Sequence, residues 1–132
     1  MAEYTKANLT EIEDLAPKGG MGDGLEARFA NADLGLEKSG LSFQKLKPGF
    51  RMPFGHKHRE QEELYVIVSG SGRVKIEDEV IDVTQWDAVR IPAGQMRAFE
   101  AGSEGLGFVA FGAPNTASLS ADAEMEPGWW GD

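Results

Sequence analysis

Through the middle of the chain, apolar and polar residues alternate over short stretches separated by turn-forming residues. Arg73-Val74-Lys75-Ile76-Glu77 shows the period-two pattern of a half-buried strand and meets a turn at Asp78-Glu79. The same reading predicts strands over 41–46, 63–68, 80–83, 88–91, 96–100 and 106–111. Their punctuation is Pro48-Gly49, Ser69-Gly70-Ser71-Gly72, Pro92-Ala93-Gly94, and a turn over 101–105. The run Leu64-Tyr65-Val66-Ile67-Val68 is apolar on both faces and reads as a strand buried on both sides. No convincing helix of ten or more residues is predicted. Many short strands with regular turn signals argue an all-β antiparallel barrel or sandwich.

The ends differ from this middle. Residues 1–24 read as a lead strand and a loose glycine-rich loop, and 113–132 as an acidic, Ala- and Ser-rich tail ending in Trp129-Trp130. Large aromatics favour burial. The two tryptophans are therefore expected to dock on the barrel or on a second subunit, the rival being a disordered end.

Length and composition narrow the function classes. At 132 residues the chain suits one domain, with 41% hydrophobic residues to build its core. No apolar stretch approaches the ~20 residues a membrane helix needs, and the N-terminus lacks the layout of a signal peptide, so a cytoplasmic protein without membrane contact is expected. With no cysteine, disulfides, thiolate ligands and cysteine nucleophiles are excluded. A formal charge of −9 and the lack of a basic cluster argue against nucleic-acid binding. There is no fingerprint of an organic cofactor and no nucleophile–base pair.

The chemistry centres on His56 and His58, the two histidines of the chain. On a strand, residues i and i+2 share a face. Two imidazoles on one face with a carboxylate nearby are the raw material of a transition-metal site. Spacing alone leaves both Glu62 and Glu63 open as the carboxylate.

The segment from Gly49 through His56-Lys57-His58 and Glu63 to Gly70 resembles the first motif of the cupins. The gap from Gly49 to His56 is one residue longer than usual. The stretch Asp87-Ala88-Val89-Arg90-Ile91-Pro92-Ala93-Gly94-Gln95-Met96-Arg97 resembles the second motif, with Trp86 where a glycine usually begins it. The resemblance covers about 40–112. It implies a double-stranded β-helix, or jelly-roll barrel, forming one domain over 1–132 and often a homodimer. It also implies a divalent metal, Fe(II), Mn(II), Ni(II) or Zn(II), held by His56, His58 and Glu63, the last selected by the family's gap to its closing glycine.

The second motif of the family carries a fourth ligand, a histidine, where this chain has Arg97. A guanidinium has five donors, no acceptor and a permanent charge, so it cannot ligate a metal. Two alternatives follow. A metal binds His56, His58 and Glu63 alone, with Gln95 or water as a fourth ligand and Arg97 orienting a polar or anionic small-molecule substrate in an oxygenase or isomerase reaction. Otherwise Arg97 forms a bidentate pair with Glu63 and the protein is a metal-free binding or sensing module. Arg97 and Tyr65, which lies two residues beyond Glu63, are the candidate catalytic side chains. Phe99 is expected in the pocket wall, and Gln44 and Arg51 at its mouth.

Overall fold

A computed structural model describes residues 1–115 and 121–131. Eight strands form one curled, antiparallel sheet: β1 (Leu25–Phe29), β2 (Gly40–Leu46), β3 (Phe54–His58), β4 (Glu62–Ile76), β5 (Glu79–Thr84), β6 (Ala88–Ile91), β7 (Arg97–Ala113) and β8 (Ala123–Pro127). One path runs β1-β2-β7-β3-β8, while β4 pairs with β5, β6 and β7. The sole α-helical element among the described residues, α1 (Asn31–Leu34), is a single turn. This is the all-β barrel expected.

Two strands are longer than the turn signals predicted. Ser69 to Gly72 does not end a strand; β4 runs through it as a bend, with register irregularities on both sides. Gly70 has φ 71°, and a Cβ on it would lie 2.0 Å from the Gly105 carbonyl oxygen. At Gly72 a Cβ would come within 2.2 Å of the Glu100 carbonyl oxygen. These glycines let β4 and β7 cross closely while both bend, which a side chain would prevent. The segment 101–105 likewise lies inside β7 rather than forming a turn. Glycine therefore marks curvature of a paired strand here, where a tight-turn reading had cut it in two.

The ends also depart from expectation. Residues 1–24 hold two 3-10 turns and an isolated bridge from Asp14 to Arg28; the lead strand is β1, which starts at Leu25. At the other end β8 pairs with β3, so the sheet extends past 40–112 on both sides. Trp130 is 6% exposed and packs into the core, in keeping with a docked tail. The part of the tail at 116–120 and 132 lies outside the described residues.

Alternation does operate along β4, contrary to a strand buried on both faces. Tyr65 and Ile67 are buried, whereas Glu62 and Leu64 face outward. Phe99 and Phe108 stack at 4.6 Å, and Tyr65 packs edge-on against Phe108 at 5.4 Å. This aromatic cluster closes one side of the barrel interior. Trp86, in the place of the second motif's glycine, has φ 74°, a left-handed conformation that glycine adopts without steric cost.

Candidate metal centre

β3 carries His56 and His58 on one face, as the i, i+2 spacing predicts. A three-residue link, Arg59-Glu60-Gln61, joins it to β4, whose first inward residue is Glu63. The register pairs His56 with Arg97 at the start of β7. These pairings gather His56, His58, Glu63, Tyr65 and Arg97 at one point.

The contacts converge on a single atom. Glu63 Oε1 lies 3.3 Å from His56 Nε2 and 3.3 Å from His58 Nε2. It accepts hydrogen bonds from the Tyr65 hydroxyl at 2.5 Å and from Arg97 Nη1 at 2.7 Å. The Arg97 contact uses one nitrogen, not the bidentate fork of the metal-free alternative; Nη1 also donates to the Tyr65 oxygen at 3.2 Å. Arg97 Nε donates to the Gln95 carbonyl at 3.1 Å, and Nη2 reaches the Pro92 carbonyl at 3.5 Å.

Arg97 is 0% exposed and does not line the cavity over the histidines. Arg97 stands behind Glu63 and Tyr65 and donates to both. Tyr65, Phe99 and Gln44 do line the cavity, whereas Gln95 does not. Arg51 is not at the mouth; it pairs with Glu100 at 2.7 Å and lies over the Trp130 ring.

Burial and charge set the protonation states. Burial pushes the Glu63 carboxyl up, but hydrogen bonds from His56, His58 and Tyr65 outweigh it and hold Glu63 well below the usual carboxylate range. Burial holds His56 below its ordinary value despite the Glu63 charge. Burial, reinforced by the Glu63 charge, raises Tyr65 well above 10, so its hydroxyl stays a donor.

A residue that the motif did not signal completes the centre. Asp122 Oδ2 lies 3.2 Å from His58 Nδ1. Asp122 also accepts from the backbone N–H groups of Glu60 and Gln61 at 2.9 and 3.1 Å, capping the link between β3 and β4. Those backbone bonds and His58 hold Asp122 below its ordinary value, although burial opposes them. With a metal in place, a carboxylate acceptor at Nδ1 would keep the proton on that nitrogen and leave the Nε2 lone pair to the ion.

This donor set suits a cation. Donor atoms about 2.1 Å from one metal lie about 3.0 Å apart when cis in an octahedron and about 3.4 Å apart in a tetrahedron. The 3.3 Å separations fall in that interval. Among the described residues His56, His58 and Glu63 form a group able to hold a metal ion.

The profile of the Cupin domain family matches residues 42–109, more than half of the chain. The chain belongs to the cupin family. Among solved structures, this cupin is similar to a cupin protein from Bacteroides fragilis, 25% identical over 89% of each chain with a TM-score of 0.71. KdgF from Halomonas sp. is 15% identical, with a TM-score of 0.67 over 90% of this cupin and 99% of that chain. Oxalate decarboxylase from Bacillus subtilis is 21% identical, with a TM-score of 0.74 over 98% of this cupin but only 34% of that chain. The last two likenesses concern fold alone. No curated protein matches this cupin significantly. Among the described residues no helix is long and apolar enough to cross a membrane.

Proposed function

We propose that His56, His58 and Glu63 hold one divalent metal and that this cupin acts on a small molecule in the cavity above it, as an enzyme of oxygenase or isomerase type. The observation that carries the reading is the pair of Nε2 atoms 3.3 Å from Glu63 Oε1, with His58 Nδ1 engaged by Asp122. Asp122 as the acceptor at Nδ1 favours the tautomer whose Nε2 lone pair a cation beside Glu63 would take up. Two histidines and one carboxylate leave coordination positions open, and a bound Fe(II), Mn(II), Ni(II) or Zn(II) would supply Lewis-acid or redox chemistry there. Around it Tyr65 and Arg97 fix the Glu63 carboxylate, and Phe99 and Phe108 give the cavity an apolar wall.

A second reading has its own support. Arg97 Nη1 is 2.7 Å from the same Oε1, so a cation already neutralises Glu63. In that reading the barrel is a metal-free module that binds or senses a small molecule. Elemental analysis of protein prepared without a histidine tag separates the two. About one metal per chain after reconstitution with each of the four ions supports the first; less than ~0.1 per chain sinks it.

A homodimer belongs to the same proposal. Leu64 and Phe111 are cross-strand partners on the outer face of the sheet, 38% and 46% exposed, an apolar pair suited to a second copy. Light scattering on Leu64→Asp/Phe111→Asp protein should report a monomer where the parent reports a dimer; a monomeric parent refutes this part.

A further inference from the structure

The cavity above the candidate centre has a volume of about 340 Å³, on the order of ten water volumes. Its walls are largely apolar: Leu25, Phe54, Phe99, Phe108 and Met125 contribute from four strands and Met52 from the loop before β3. Among the described residues neither lysine nor arginine lines it, and the one carboxylate of the lining, Glu63, is at the centre itself. Arg97 is sealed behind Glu63, with each guanidinium nitrogen engaged by protein.

The uncharged polar groups of the lining bond to one another. Gln44 Nε2 donates to Ser42 Oγ at 3.2 Å. Gln61 Nε2 donates to Asn115 Oδ1 and to the Pro114 carbonyl, at 3.1 and 3.2 Å. Asn31 Oδ1 accepts from the Leu41 backbone at 2.9 Å. A dianion entering here would lose water and find no counter-charge on the described walls.

We infer that this cavity takes a molecule of one or two rings with an uncharged, apolar body and a single oxygen-bearing head directed at His56, His58 and Glu63. Sugar acids and small dicarboxylates are the wrong class for it. The direction of the head rests on the metal proposal; the apolar body does not.

The body is tested on chelator-treated protein with the neutral fluorophore N-phenyl-1-naphthylamine. The expected result is saturable enhancement at one probe per chain, undisturbed by millimolar oxalate or glucuronate. Ala110→Phe fills the cavity and should weaken the probe at least tenfold. Ala123→Trp, at an exposed position on the rim, gives the same test should the interior variant fail to fold. No saturable signal, displacement by either anion, or binding indifferent to a folded blocking variant overturns the inference. The head is tested on Mn(II)-loaded protein: 2-naphthol should displace the probe at lower concentration than naphthalene does, and equal potency overturns that part. If the protein takes up no Mn(II), the head assignment falls with the metal proposal while the chelator-treated result still decides the body.

Discussion

His58 Nδ1 and Asp122 Oδ2 meet at 3.2 Å across 64 residues of sequence. The contact ties one candidate ligand to the segment that follows β7, and the same carboxylate caps the link leading to Glu63. Removing such an oriented acceptor typically costs a metal site 10–100-fold in affinity. Asp122→Ala should therefore weaken Zn(II) binding about 10–100-fold by competition titration. Asp122→Asn, which keeps an acceptor for Nδ1–H, should weaken it less. Equal affinities in parent and both variants would detach Asp122 from the centre.

Arg97 and a metal at the proposed site would compete for the same carboxylate oxygen. A unit charge pair at ~4 Å and an effective dielectric of 20 is worth about 4 kcal/mol before desolvation, so the guanidinium depresses cation affinity. Arg97→His should raise Zn(II) affinity more than tenfold, since each 1.4 kcal/mol is a factor of ten. In the chelator-treated protein, Arg97→Ala leaves buried Glu63 without its cation and should cost about 3–5 kcal/mol. Zn(II) should restore much of that loss in a denaturant titration. A variant that is destabilised equally with and without the ion would show that Glu63 is not a ligand.

The metal-free protein should lose stability on acidification in two stages. His56 has a folded pKa below 6.5, so as pH falls through 6.5 the unfolded chain takes up a proton that the folded chain does not. Stability present above that value declines from there downward. Glu63, Asp122 and Glu100 all have depressed folded values, so their contribution is present above the unfolded carboxylate range and is lost as pH drops below about 4.5. Melting temperature against pH should show both declines, and His56→Gln should remove the upper one and shrink the lower, since His56 helps hold Glu63 down.

Much of the centre is legible in local sequence because strand geometry is local. His56 and His58 share a face by parity, and Tyr65 follows Glu63 onto the same interior. The outward turn of Leu64 was hidden, since Leu, Tyr, Val and Ile give no period-two contrast even where the strand alternates. The role of Arg97 was legible only as chemistry. That it cannot ligate follows from its donors, but that it lies behind Glu63 depends on the pairing of β7 with β3 and β4. Asp122 could not be found from spacing, because it is one acid in an acidic tail and gains meaning from β8 joining β3. Gly70 and Gly72 misled for a related reason: a close strand crossing and a turn ask for the same residue.

The C-terminal segment gives the last test, because it is held far from the centre and yet borders it. Trp130 is buried, with the Arg51 and Arg73 guanidinium groups 4.7 and 5.7 Å from its ring centre and Lys75 Nζ donating to its carbonyl at 3.0 Å. Glu100 pairs with both arginines and so fixes the walls of this socket. Trp129 packs over Gly55, where a Cβ would come within 2.6 Å of its ring. Between this anchor and Asp122 lies β8, paired residue by residue with the strand that bears both histidines. Trp130→Ala should cost about 3–5 kcal/mol, and Zn(II) affinity should fall in the same variant because Asp122 loses its tether. If stability falls while affinity holds, then Asp122 is kept at His58 by its bonds to Glu60 and Gln61 alone, and the tryptophan serves the barrel but not the centre.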